Sequence, residues 1–374
     1  MWRGHGWLGV IFPISVIAAA CSSPTELPDG VVAAPLDASI EVIAEGFGQP
    51  WAIAVLNEDE FLVSERAGGL RYVANGQVTN LEDGPQSQVF DARGTIVGGL
   101  MDVSLHPNFV DNGLVYLTYL NQDDVLEIGR FDFSERTINN FEVIFTTNAR
   151  SIGSRIAWED NETFLFTHGT TLTELPDDLE SDGGKTHRLT ADGSVPADNP
   201  IFDGQDSPSS IWTYGHRVSQ GIVVVDGTVY SHEHGDAGGD EFNIIEPGNN
   251  YGWPAFSFGT ADDPLVNTLT EAEAARVGTL PTQHWGDFTI APSSLRFVRD
   301  SAFPELDGQF LIGSLTQASL LSVDIDSGLT SILLDDVGRV RDVAVLPSGS
   351  IVVAIENIPA REFAGSLIRL SPPG

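Results

Sequence analysis

The chain has 374 residues, of which 53 are acidic and 18 basic, a formal net charge of −35. Such a surface excludes nucleic acid, whose phosphates need clustered basic side chains, and it disfavours docking on anionic lipid. The plain reading of the charge is solubility, in a medium whose salt screens like charges; Lys185 is the only lysine.

Arg3 gives a short positive start, and Leu8 to Ala20 is an apolar stretch too short to span a bilayer. Ala18-Ala19-Ala20-Cys21-Ser22 places small residues before the single cysteine, which therefore has no disulfide partner in the chain. This pattern reads as a bacterial lipoprotein signal over 1–20, with Cys21 as the lipidated residue and the protein exported to the periplasmic or cell-surface side. An ordinary secretory signal is the alternative. Residues 21–38, rich in Ser, Pro, Asp and Gly, read as a flexible tether.

From Ile40 onward, short apolar runs alternate with Gly, Asp and Asn. Trp51–Leu56, Glu60–Ser64, Leu70–Ala74, Val115–Tyr119, Phe164–Thr167, Ile222–Val225, Phe310–Ile312 and Ile351–Ala354 are of strand length. Leu269–Val277 is the best single helix candidate. A weak repeat favours a propeller over a sandwich. Pro50–Val55 precedes Glu60–Arg66 and Gly69–Val73; Gln220–Val224 precedes Thr228–Ser231; Arg341–Val345 precedes Gly349–Ala354 and Gly365–Leu370. Each unit reads as strand, turn, strand, which is how a blade is built. The repeat predicts an all-β propeller as one domain over 39–374, with Ser366–Leu370 pairing with an N-terminal strand to close the ring.

Tyr214 to Pro254 is the densest stretch. It carries Tyr214-Gly215-His216-Arg217, Gln220-Gly221, His232-Glu233-His234-Gly235-Asp236, Gly238-Gly239-Asp240-Glu241 and Glu246-Pro247-Gly248-Asn249-Asn250-Tyr251-Gly252-Trp253-Pro254. Glycines permit close approach of backbone to a ligand, and carboxylates with freed carbonyls are hard oxygen ligands suited to calcium. Composition alone is equally consistent with a long acidic surface loop.

Order and spacing separate the two readings. These motifs resemble those of the glucose/sorbosone dehydrogenase family, the PQQ-dependent soluble aldose dehydrogenases, and the resemblance implies an all-β, six-bladed β-propeller. Gly98-Gly99-Leu100-Met101 with His106-Pro107-Asn108-Phe109, Asp192–Pro200, Ala291-Pro292-Ser293-Ser294 and Arg339-Val340-Arg341-Asp342 resemble further segments of that family, in its order, over roughly residues 40–371. The resemblance implies oxidation of an aldose at C1 to a lactone, with an external electron acceptor, PQQ as cofactor and calcium polarising the quinone. It implies Arg217 near the quinone oxygens beside Gln220, Asp240 and Thr289 in the cofactor pocket, and Arg339 and Arg341 clamping carboxylates. It places a calcium on the backbone oxygens of Gly235 and Asp236, and a structural calcium on Glu241 and the carbonyl of Tyr251.

Several positions depart from the family pattern. Ser151 stands where the family has its catalytic His, and a hydroxyl has no basicity near neutral pH. Thr170 follows Gly169 where an Asp orients that His, and Val97, Val218 and Thr316 replace a Gln, an Asn and a Lys. His168, two residues before Thr170 and on the same face of an extended strand, is a candidate substitute base; a His satisfied by neighbouring hydroxyls is the other reading. His216, His232 and His234 read as structural. Three functions follow: a dehydrogenase with a remodelled site, a cofactor-free propeller binding a sugar or protein partner, and a calcium-dependent lactonase. The last needs a central carboxylate cage that the sequence does not supply.

Overall fold

The structure is a computed structural model that describes residues 27–374 apart from 93–94, 171–175, 261–265, 268 and 359–360. Residues 1–20, expected to be a signal, and Cys21 lie outside the described residues.

Six antiparallel sheets are arranged as blades around an axis. From the axis outward, blade one is Pro50–Val55, Glu60–Glu65, Gly69–Ala74 and Gln77–Asn80. Blade two is Leu100–Leu105, Leu114–Leu120, Leu126–Ser134 and Thr137–Thr146. Blade three is Ile156–Trp158, Thr163–His168, Lys185–Thr190 and Ile211–Tyr214. Blade four is Val218–Val225, Thr228–His234, Glu241–Ile245 and Gln283–His284. Blade five is Pro292–Phe297, Phe310–Ser314, Ser319–Asp324 and Leu329–Leu334. Blade six takes Val340–Val345, Ile351–Ile355 and Ser366–Ser371 from the end of the chain, and Ser39–Glu45 from its beginning. That last pairing, Ile40 opposite Leu370 and Glu45 opposite Ser366, closes the ring as the sequence predicted.

Two expectations change in detail. Val31–Ala33, read as tether, pairs in parallel with Leu329–Leu334 as a fifth strand of blade five, because its backbone groups meet an otherwise open edge. The predicted helix shortens to Glu271–Ala274, whose first turn is fixed by a Thr270/Glu273 capping box. Among the described residues no helix is long and apolar enough to cross a membrane.

Strands buried on both faces read as continuous apolar runs. Ile351–Ile355, sequence IVVAI, is buried throughout, whereas the outermost Thr137–Thr146 mixes exposed and half-buried positions. Each fully buried Val, Ile or Leu in these layers contributes roughly 1.5–3 kcal/mol.

Five of the six innermost strands share a further feature. Their pairing with the second strand slips at Pro50/Ala52, around Met101 and Asp102, at Ser219/Ile222, at Pro292/Leu295 and at Val340/Asp342. Each slip is a bulge that turns a side chain out of the ladder. The residues released this way include Trp51, Asp102, Gln220 and Arg341, all at the entering ends of the innermost strands.

Candidate functional site

The site is built from these bulged ends. Arg339 lies just before the innermost strand of blade six and Arg341 is its bulged residue. Both guanidiniums turn to Glu356, just past Ile351–Ile355. Arg339 Nε and Arg341 Nε donate to the same Glu356 Oε2 at 2.9 and 2.7 Å. Gln49 Nε2 donates to the other oxygen at 3.0 Å, and the Glu356 N–H donates to the Arg339 carbonyl at 3.0 Å. Burial opposes ionisation of Glu356, but the two arginines outweigh it and hold the carboxyl at about 2. Burial lowers Arg341 to about 10, still charged at neutral pH.

Beneath the pair lies Trp51, whose indole faces the guanidiniums of Arg66 at 4.4 Å, Arg341 at 5.3 Å and Arg155 at 5.8 Å. Arg155 acts as a rivet on the axis. Its Nη1 pairs with Asp102 and Asp342 at 3.2 Å each, and its Nη2 donates to the carbonyls of Trp51 and Arg341 at 2.8 Å each. One buried fork thus ties blades one, two and six to blade three.

On the blade-four side, Arg217 donates through Nη1 to the Gly235 carbonyl at 2.5 Å and through Nη2 to Asp236 Oδ1 at 2.9 Å. Its Nη1 also reaches the His234 carbonyl at 3.4 Å. His234, whose Nε2 contacts the Pro292 carbonyl at 2.8 Å, is held down to about 4, first by burial and then by the charges of Arg217, Arg341 and Arg339. Arg217 and the arginine pair therefore act on one neighbourhood. The Gln220 amide lies against Gly153, where a Cβ would overlap it, and its buried Oε1 has no partner.

The contacts of three expected site residues bear on their roles. The Gly235 carbonyl, one of the two backbone oxygens expected to ligate calcium, already accepts from Arg217, whose other nitrogen holds the Asp236 carboxylate and not the Asp236 backbone oxygen. Asp240 is a structural clamp: Oδ1 accepts the Gly235 N–H at 3.0 Å, and Oδ2 accepts the Ile290 and Ala291 N–H groups at 2.8 and 2.7 Å. Both its oxygens are engaged by backbone N–H groups, which gives Asp240 a structural role. His168 is 0% exposed. Its Nε2 faces the Ala149 carbonyl at 3.2 Å and the Thr147 hydroxyl at 3.4 Å, and its ring lies 6.0 Å from that of His187. Burial first, then the neighbouring His187, lowers it to about 3. An imidazole enclosed in this way cannot meet a substrate, so His168 is packing and not a substitute base.

Of the remaining predicted residues, Thr289 uses its carbonyl to accept the Gln317 amide at 2.7 Å. Glu241 and Glu233 are cross-strand partners. Burial first, and the Glu233 carboxylate second, push Glu241 well above the usual carboxyl range. Glu233 Oε2 accepts the Arg217 N–H and the Ser219 hydroxyl at 3.1 Å each, and lies 3.3 Å from His216 Nδ1. Tyr251 stacks on His216 at 4.7 Å, and its hydroxyl bridges the Glu246 N–H and the Ile244 carbonyl. Glu233, Glu241, Tyr251 and Ser257 line a cavity of about 10 Å³, room for about one water or ion. Two buried carboxylates facing one small cavity fit a cation bound with the help of carbonyl oxygens. Among the described residues, no group of three or more His, Cys, Asp and Glu is placed to hold a metal ion.

His232 and His216 are structural, as read. His232 accepts the Gly221 N–H on Nδ1, so its Nε2–H donates to the Ser294 carbonyl at 2.9 Å. Ser151 is buried and donates to the Gly153 carbonyl at 2.7 Å. Sequence reasoning missed Glu356, Glu233 and the rivet role of Arg155. The one available signal was an acidic residue directly after the buried run Ile351–Ile355.

The Glucose / Sorbosone dehydrogenase family model matches residues 47–369. The chain belongs to the glucose/sorbosone dehydrogenase family. Within it, the chain is 28% identical to the aldose sugar dehydrogenase YliI of Escherichia coli over 366 residues, 92% of this chain and 96% of that one. The crystal structure of the soluble aldose sugar dehydrogenase from Escherichia coli in the apo-form superposes with a TM-score of 0.78 at 25% identity, covering 90% of this chain and 100% of that one. The PQQ-bound aldose sugar dehydrogenase from Streptomyces coelicolor shares the fold, with a TM-score of 0.70 at 24% identity over 90% and 99% of the two chains. In this family member Arg339 and Arg341 meet on Glu356, and Ser151 is buried against the Gly153 carbonyl.

Proposed function

We propose that this protein is an exported PQQ-dependent aldose dehydrogenase, oxidising the C1 hydroxyl of a sugar to a lactone with an external electron acceptor. The arginine pair carries this reading: two guanidiniums share one internal carboxylate, leaving net positive charge for the carboxylates of PQQ. PQQ, when bound, supplies the quinone that accepts hydride from the sugar. Arg339 and Arg341 would bind its carboxylates, Trp51 would support the pair from below, and the orphaned Gln220 oxygen would take a donor from the ligand. Ser151 offers no base, so turnover is expected to be slow.

A second reading, a non-catalytic propeller that binds a sugar or protein partner, is favoured by the commitment of Arg217 to Asp236 and by Ser151. Titration with PQQ in the presence of calcium, followed by absorbance, separates the two. Saturable uptake with dye reduction by aldoses supports the dehydrogenase. No uptake sinks that reading, and uptake without dye reduction favours the second. We further propose that a structural calcium uses Glu241, Glu233 and the Tyr251 carbonyl. Chelation is then expected to lower the melting temperature by several degrees, restored by added calcium; an unchanged transition rules the ion out.

A further inference from the structure

The arginine pair already holds a carboxylate of its own. Glu356 accepts from Arg339, Arg341 and Gln49, and its N–H holds the Arg339 backbone in place. The two arginines differ in access: the Arg341 side chain is 5% exposed and the Arg339 side chain 31%. An incoming anion therefore approaches through Arg339, and it meets two cations of which one charge is already answered. In a chain of net charge −35, that remaining charge decides whether an anion stays.

We infer that Glu356 is a built-in counter-ion of the Arg339/Arg341 pair that competes with an external carboxylate for it, and so sets the affinity of the site for anionic ligands. The inference rests on the reading of this pair as the anion site. A purely structural ion pair makes a different prediction. Removing its carboxylate would lower stability and leave anion affinity unchanged or weaker. A competing counter-ion, once neutralised, leaves two cations for the ligand, and affinity rises. Gln is nearly isosteric with Glu and keeps an acceptor for the guanidiniums, so Glu356→Gln changes chiefly charge.

The test compares the full chain and Glu356→Gln, using sulfate at constant ionic strength and PQQ as separate probes, with circular dichroism to confirm the fold. Loss of a unit charge next to the pair is expected to tighten sulfate binding by about tenfold or more. The variant should melt below the parent without sulfate and gain more from its addition. Equal or weaker sulfate binding by folded Glu356→Gln overturns the inference. If neither protein takes up PQQ while the variant still binds sulfate more tightly, the cofactor reading falls and the counter-ion role stands. Should Glu356→Gln fail to fold, Gln49→Glu at pH 8 decides by the opposite sign. Sulfate binding weakened several-fold supports the role, and unchanged binding overturns it.

Discussion

His168 and His232 have no exposed surface, and burial, as the leading cause, holds both imidazoles at about 3. The sign of the consequence is fixed by linkage. Below about 6.5 the unfolded chain binds a proton at each His that the folded protein refuses until about 3. The stability these residues allow is therefore complete above pH 6.5 and is lost as pH falls toward 3, at about 1.4 kcal/mol per pH unit for each. Replacing His168 by Gln should make the fall of unfolding free energy between pH 6 and 4 shallower by about one proton. A slope that does not change would show that His168 is protonated in the folded state. The same reasoning explains why a His at a promising sequence position is not a base: proton affinity is decided by what surrounds the ring.

At the scale of elements, the recurring device is a bulge in an innermost strand answered by a polar group on the second. The freed N–H of Ala52 donates to the Ser64 hydroxyl at 3.1 Å and that of Asp102 to Thr118 at 2.9 Å; the Arg155 N–H, just before the unslipped innermost strand of blade three, donates likewise to Thr167 at 2.9 Å. In blade four the Gly221 N–H goes to His232 Nδ1 at 3.2 Å. The slip aims Trp51, Asp102 and Arg341 at the axis, and the hydroxyl removes the cost of an unpaired buried donor. Thr118→Val keeps the shape but orphans the Asp102 N–H, which should cost about 1–3 kcal/mol. A urea-unfolding midpoint equal to that of the parent would show that the hydroxyl is dispensable. Two glycines serve the same geometry. A Cβ at Gly153 would overlap the Gln220 amide, and one at Gly235 would overlap the Gly238 carbonyl.

For the whole molecule, closure of blade six by strands from both ends of the chain covers the edge of Ser366–Ser371, and the strongly negative surface adds mutual repulsion between copies. The only lysine, Lys185, is buried and donates to the carbonyls of Pro176 and Gly183 at 2.7 and 2.8 Å, so it adds no exposed positive charge. We propose that the propeller is tethered through lipidated Cys21. Labelled palmitate is then expected to enter the expressed protein and to be lost in Cys21→Ala; equal labelling of both would exclude the anchor.

Strand runs, their repeat and ring closure were legible because each is a local or periodic pattern: Trp51–Leu56 was observed as Pro50–Val55, and Ser366–Leu370 as Ser366–Ser371. The motifs carrying Arg217, Arg339 and Arg341 were legible for the same reason. The partners of those side chains were not. Arg155 joins the carbonyls of Trp51 and Arg341 across separations of 104 and 186 residues, and no spacing in the chain announces such contacts. Sequence by itself determined a closed, acidic, all-β ring with family motifs in order, because hydrophobic period and turn chemistry are written residue by residue. Only the tertiary structure decided that Arg217 holds Asp236, that Glu356 answers the arginine pair and that His168 is enclosed. Those choices depend on burial and on which charges the bulges bring within hydrogen-bond distance.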